Sequence, residues 1–545
     1  MESNSKINNN PTTAPIQHKT IAFPEEGIIF DSDFDSGNLL SVEKKSDATF
    51  ELFIASDCQD LNLQVETYRV WFYFRISNTL KTFPLKLSIK NLSPFLKETF
   101  SKGHVPVYHI DGTNEGAAYD QKWTRLTKTE NNFCFVEESN GIHLNFTFEI
   151  KTSEIIYFAF SYPWSYNDNL NYIKTLRLLY KNHPTIYFNA ETIVNSLEKR
   201  KVHLLTITSL KNQSLVKEKT IQKHLFKKQN QRPFIFLNKR YIVISARVHP
   251  GESPASYVLQ GCLDYILNNL TFLDNFVLVV VPMLNPDGVF RGYYRLDTNG
   301  KNLNRVYHSS YYVKYPAIFA LKRVINYLKE ENRLLSYFDL HAHNIIDKSF
   351  LFGNKAESLD DHLEIILIPK IMSMISAKFE LKNCKFESKG VSIEPKNSNG
   401  KEERGQEERG NEEIKTEDKD NNEKTNEIIE DTCKDKKEDK VLPLNEEKKE
   451  VYPVAKTHFF KHEGLKLSYT FECSYNGGFL TNRCEDLKNS EDFFHFDRNG
   501  FKECGRHLIM SILESNGKND KSILEPFGYK SIYELKQSLQ KNGGL

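Results

Sequence analysis

His249 and Glu252 lie three positions apart in Ala246-Arg247-Val248-His249-Pro250-Gly251-Glu252-Ser253. Imidazole nitrogen and carboxylate oxygen both ligate Zn²⁺ well, and a hydrolytic zinc site takes three protein ligands and leaves one position open. The HxxE spacing alone is weak, so its weight depends on a third ligand and a base elsewhere in the chain. Asp339-Leu340-His341-Ala342-His343 offers the third ligand, and spacing does not choose between His341 and His343. Glu472 offers a spare carboxylate that could take a proton from an attacking water. Cys473 follows it on the opposite face of a strand, and no histidine is placed by sequence to activate that thiol.

The elements around these residues place them together. Tyr241 to Val248 is β-branched and apolar, the pattern of a strand buried on both faces. Pro250 and Gly251 break it. A helical pattern follows, with Val258, Leu259, Cys262, Leu263, Ile266 and Leu267 on one face. His249 and Glu252 therefore sit on a turn at the carboxyl end of a parallel strand, where open α/β sheets bind ligands. Ser336 to Leu340 reads as a second strand, running into His341, and Leu465 to Glu472 as a third. Strand ends on one side of a sheet converge, so two histidines and Glu252 can fill three corners of one zinc, with Glu472 beside it.

The rest of the chain supplies two periods. From about residue 22 to 165 the period is two: Leu85, Leu87 and Ile89 alternate with Lys86, Ser88 and Lys90, and Ile142, Leu144, Phe146, Phe148 and Ile150 with polar residues. That predicts an all-β antiparallel sandwich, with Trp71 and Trp123 in core packing. From 166 to 515 strands and helices alternate: a helix over Tyr172–Asn182, strands over Val202–Ser209 and Phe276–Val281, a turn at Leu284–Gly288, and helices over Pro316–Leu328 and Phe501–Leu513. This predicts a mixed sheet flanked by helices. Residues 1–21 are Asn-, Thr- and Pro-containing and expected to be disordered, as is a Lys/Glu-rich insertion at 393–450; residues 516–545 are expected to form a C-terminal tail.

With 545 residues and 39% hydrophobic content the chain can bury two cores. Its net charge of +1 gives no bulk electrostatic case for nucleic acid or an anionic membrane as partner. The N-terminus lacks the basic-then-apolar pattern of a signal peptide, and the longest apolar run is too short to span a bilayer. The eight cysteines form no CxxC pair, which points to a reducing compartment. A cytoplasmic protein is expected.

Larger motifs carry a family resemblance. They are FDSGNL at Phe34 to Leu39, WFYF at Trp71 to Phe74, LLTITS at Leu204 to Ser209 and RVHPGESPAS from Arg247. PMLNPDGVFRGYYR from Pro282, NLNR at Asn302 to Arg305, YFDLHAH at Tyr337 to His343 and SYTFECSYNGG from Ser468 complete the set. Over roughly Phe30 to Ile512, apart from the insertion, the chain resembles the cytosolic carboxypeptidases, within the zinc metallocarboxypeptidases. The resemblance is strongest to their cytosolic carboxypeptidase 5-like branch of tubulin deglutamylases. It implies an α/β carboxypeptidase domain behind a β-sandwich and one zinc per chain, held by His249, Glu252 and His341. Glu472 becomes the general base, Arg295 the stabiliser of the oxyanion, and Asn304 and Arg305 the holders of the substrate's terminal carboxylate. The family's side-chain-selecting arginine falls, counting back from Glu472, on Lys456, which keeps the charge but loses the fork. No match is found for the substrate-capping tyrosine of the pancreatic type. The implied substrates are tubulin, microtubules or other glutamylated proteins, with microtubule or cilium association. A catalytically inactive microtubule-binding relative and a carboxypeptidase for another terminal residue are the alternatives.

Overall fold

The computed structural model describes residues 19–63, 67–112, 122–139, 141–222, 224–226, 228–387, 454–479, 493–519 and 522–541. The expected insertion at 393–450 lies outside them, as do residues 1–18. Two sheets form the N-terminal part. One has six strands, in the spatial order Thr20–Phe23, Ile28–Asp31, Tyr73–Asn78, Ile155–Ala159, Val107–Ile110 and Thr124–Arg125. The other has five: Ser41–Ser46, Thr49–Phe53, Phe83–Leu92, Gly141–Ile150 and Cys134–Glu138. All pairs are antiparallel except Thr49–Phe53 with Phe83–Leu92. The period-two residues point inward as predicted: Phe30, Phe74 and Phe158 of one sheet share a core with Phe50, Leu87 and Phe146 of the other. Trp71 is buried there, and its indole N–H donates to the Ser36 carbonyl at 2.9 Å.

The second part is built on an eight-stranded mixed sheet. Its four central strands run parallel, in the order Phe276–Val281, Arg240–Ala246, Leu334–His343 and Leu467–Ser474. The strand Arg240–Ala246 shows why such strands read as continuous apolar runs. Ile242 and Ile244 face one helical layer, with Val258, Leu263 and Leu508. Tyr241 and Val243 face the other, with Leu321 and Ile325. The first layer contains the helices Pro254–Leu267 and Arg498–Ser515, the second Pro316–Glu330.

Two sequence expectations change. Leu284–Gly288 is not a bare turn: Asn285 accepts the Gly288 N–H at 3.1 Å, Pro286 takes the first helical position, and a short helix runs Pro286–Phe290. An Asn-Pro pair serves either structure. The C-terminal segment is also not all tail, because Ile532–Lys541 is a helix whose Leu535 and Leu539 pack against Leu363, Leu367 and Ile371. Among the described residues no helix is long and apolar enough to cross a membrane.

Candidate metal centre and active site

The strand Arg240–Ala246 ends where Arg247 adopts a left-handed conformation, φ 58°. That is unfavourable for a residue with a side chain, and the side chain itself compensates. Its buried guanidinium donates to the carbonyls of Pro250 at 3.0 Å and Trp164 at 2.9 Å and to Ser256 Oγ at 2.9 Å. The loop is thereby folded over its own arginine, and His249 and Glu252 turn inward. Gly251 is required at the same turn: a Cβ there would stand 2.6 Å from the Tyr294 ring, and its N–H donates to the Tyr294 carbonyl at 2.8 Å.

His249, Glu252 and His341 converge, with one ligand atom from each within 4.8 Å of the others and all three buried. His249 Nδ1 lies 2.7 Å from one Glu252 oxygen, and His341 Nδ1 lies 2.9 Å from the other. The outer ring nitrogens have acceptors of their own. His249 Nε2 is 3.0 Å from Asn302 Oδ1, and His341 Nε2 is 2.9 Å from Asp339 Oδ2. These acceptors suit a proton on each Nε2, which leaves both Nδ1 atoms facing one buried carboxylate, the arrangement a cation would satisfy. The donor set of two imidazoles and a carboxylate fits zinc.

Electrostatics follow from this crowding. Burial depresses His249 to about 4, with Glu252 opposing the shift and Arg295 adding to it. Burial also works against charge on His341, but Asp339 and Glu252 overcome it and raise its pKa well above the ordinary value. Glu252 stays ionised, held well below its usual range by the two histidines in spite of burial.

His341 and Glu472 are register partners on neighbouring parallel strands, which places the candidate base beside the ligand set. Burial pushes the Glu472 carboxyl up to about 8; His341 opposes the rise, and the carboxylates of Glu252 and Asp339 add to it. Cys473, buried on the opposite face, points away as expected. His343 shares a strand face with His341, but its Nδ1 accepts the N–H groups of Ile345 and Ile346, each at 3.0 Å. That nitrogen is taken, and His343 is not part of the converging set.

Arg295 and Arg305 repel one another, and burial with that repulsion lowers Arg305 to about 10. Among the described residues neither has a carboxylate within ion-pair distance. Two guanidinium groups close enough to repel, and without a paired carboxylate, suit an anion. Asn304 is buried between His341 and the helix Ala455–Lys461: its Nδ2 is 3.4 Å from His341 Nε2, and its Oδ1 accepts the Ala455 N–H at 3.1 Å. Lys456 is buried, with Nζ 2.8 Å from the Gly353 carbonyl and 3.3 Å from that of Glu387. Its partners are neutral oxygens, and burial lowers it to about 8.

Asp339, Asn302 and Arg247 carry parts of this site that sequence reasoning passed over. Asp339 was legible in principle, since residues two apart on a strand share a face; Arg247 was not, because a left-handed arginine leaves no pattern.

Comparison with known proteins agrees with the geometry. A family model described as zinc carboxypeptidase matches residues 172–343, and one described as the cytosolic carboxypeptidase N-terminal domain matches residues 30–161. Human cytosolic carboxypeptidase-like protein 5 is 27% identical over 487 residues, covering 67% of this chain and 54% of its own length. Human cytosolic carboxypeptidase 2 is 30% identical over 387 residues, covering 67% of this chain and 39% of its own. The chain thus spans about half the length of these relatives, or less. A metallo-carboxypeptidase from Burkholderia cenocepacia has the same fold, with a TM-score of 0.58 at 14% identity over 90% of this chain and 99% of that one. The chain belongs to the cytosolic carboxypeptidase family of zinc carboxypeptidases.

Proposed function

We propose that this protein is a zinc-dependent carboxypeptidase that removes glutamates from glutamylated tubulin or other acidic protein tails. The convergence of His249, Glu252 and His341, with Glu472 in register beside them, is the observation that carries the reading. Zinc bound by the three supplies Lewis-acid activation of water and of the scissile carbonyl. Glu472 accepts the proton of the attacking water and returns it to the departing amine. Arg295 donates to the carbonyl oxygen as it becomes anionic. Asn304 and Arg305 bind the terminal carboxylate, a task that suits a guanidinium fork. Retention of all four metal and base residues speaks against a catalytically inactive relative.

Glutamate selectivity is placed on Lys456. A terminal side-chain carboxylate entering a site stripped of water needs a cation. Lys456 is a buried ammonium whose hydrogen-bond partners are neutral oxygens; the Glu387 carboxylate acts on it, but among the described residues no carboxylate lies within ion-pair distance. Lysine keeps the charge of the family's arginine but not its bidentate geometry. The test is hydrolysis of paired peptides ending in glutamate or in leucine, with products read by mass. A charge-assisted contact of roughly 1.5–3 kcal/mol predicts that Lys456→Ala lowers kcat/KM about 10- to 150-fold on the glutamate peptide and far less on the other. Equal losses on both would assign Lys456 to structure, and wild-type preference for leucine would refute glutamate removal.

A further inference from the structure

The stretch that carries Arg295 is held almost residue by residue by the N-terminal sandwich. Ser36 donates its N–H to the Phe290 carbonyl at 2.9 Å, and Asn38 Nδ2 donates to that of Gly292 at 3.2 Å. Asp60 takes the Arg291 guanidinium and, at 2.5 Å, the Tyr293 hydroxyl. Asp57 accepts the backbone N–H groups of Tyr294, Arg295 and Leu296 at 2.7, 2.7 and 2.9 Å. Cys58 Sγ, 3.2 Å from the Asp297 carbonyl, closes the series.

Asp57 is the centre of this grip. It is fully enclosed, 3% exposed, and among the described residues no lysine or arginine lies within ion-pair distance of it. Its charge is balanced by three amide dipoles, the way a carboxylate is accommodated at a helix start. The turn that presents it is costly: Cys58 and Asn62 are left-handed, φ 60° and 53°. The same domain supplies the surface under the side chain, because the Arg295 guanidinium carbon stands 5.9 Å from the Tyr68 ring centre. The residue before Arg295 is tied to the metal-ligand turn, because the Tyr294 carbonyl accepts the Gly251 N–H at 2.8 Å, between His249 and Glu252.

A carboxylate paired directly with Arg295 would fix it but occupy its donors. Here the backbone is clamped by Asp57 and the guanidinium lies against Tyr68, which leaves the donors free for substrate. We propose that the β-sandwich is a working part of the active site, with Asp57 and Tyr68 as positioning residues that hold Arg295 where the carbonyl oxygen turns anionic. This rests on the reading of Arg295 as the oxyanion donor.

The test is a double-mutant cycle in the full-length zinc-loaded protein, assayed on a peptide ending in a run of glutamates. Removing one oxyanion donor costs about 10²- to 10³-fold in kcat, so Arg295→Ala should fall in that range. Asp57→Asn, which places an amide donor against backbone N–H groups, should lower kcat by about 10- to 100-fold with KM and zinc content near wild type. In the Arg295→Ala background it should add no further loss, since residues that act as one unit are non-additive. Tyr68→Ala should follow the same pattern with a smaller loss, and Tyr68→Phe, which keeps the ring face, should restore most of it. Should Asp57→Asn fail to fold, the half-buried Tyr68 pair decides on the same criterion. Losses that multiply across the cycle, or wild-type kcat in Asp57→Asn or Tyr68→Ala with an impaired Arg295→Ala, overturn this proposal alone. A wild-type kcat in Arg295→Ala overturns the oxyanion reading, and this proposal with it.

Discussion

His341 marks the point at which metal and proton compete. Its Nε2 faces Asp339 and its Nδ1 faces Glu252, so without metal both nitrogens lie against carboxylate oxygens and the ring holds an extra proton. His341 would have to give up that proton to hold zinc. Because the pKa of His341 is raised, zinc affinity should rise with pH through neutrality, by roughly tenfold per pH unit where one proton is released per metal bound. Competition titration against a chelator at several pH values measures this, and a flat affinity would contradict it. Replacing the outer acceptor should also act at a distance: Asp339→Ala should weaken zinc binding by about 10- to 100-fold. At this scale the sequence was legible where spacing and motif picked out residues that the fold brings together, as for His249, Glu252 and Glu472. It was silent where a side chain serves the backbone, as Arg247 and Asp57 do, because those contacts join residues with no fixed spacing.

The turn that carries His249 leads into the helix Pro254–Leu267, so that helix must sit accurately on the sheet. It crosses Arg498–Ser515 at glycines from both sides. A Cβ on Gly261 would stand 1.9 Å from the Lys502 carbonyl oxygen, and one on Gly505 would stand 1.9 Å from that of Val258. The backbones therefore meet with no room for a methyl group, and Cys262 Sγ adds a contact of 3.3 Å to the Gly505 carbonyl. Gly505→Ala should destabilise the fold by about 1–3 kcal/mol, read by denaturant unfolding. A neutral effect would mean the helices separate freely. The helices and central strands were readable from apolar period, with ends displaced by up to six residues, because caps and registers depend on partners elsewhere. The crossing itself was not readable: a glycine inside a helical pattern signals close approach without saying to what.

For the whole molecule, burial of ionisable groups ties stability to pH in both directions. His104, in the sandwich, is buried with Nε2 2.9 Å from the Phe160 carbonyl, and burial lowers it to about 3. Unfolded, it takes a proton below about 6.5. Between those values the unfolded chain binds the extra proton, so the His104 contribution is complete above about 6.5 and is lost as pH falls toward about 3. Burial raises Asp35 and Asp297 to about 6, which has the opposite sign. The net slope thus mixes both kinds of group, and the clean observable is a difference. His104→Gln should be least stable relative to wild type above pH 6.5 and should close the gap as pH falls. A gap independent of pH would contradict this. The division into a period-two part and a helix-and-strand part was plain in the sequence. The way the first part grips the Arg295 stretch was not, since it joins residues more than two hundred positions apart. Metal binding and proton transfer belong to different residues, and that separation can be measured. Zinc content by elemental analysis, paired with turnover of a glutamate-ended peptide, should be measured on wild type, Glu252→Ala and Glu472→Gln. One zinc per chain is expected in wild type and Glu472→Gln, little in Glu252→Ala, and a turnover loss of at least about two orders of magnitude in both variants. Full zinc occupancy in Glu252→Ala, or wild-type turnover in Glu472→Gln, would contradict it.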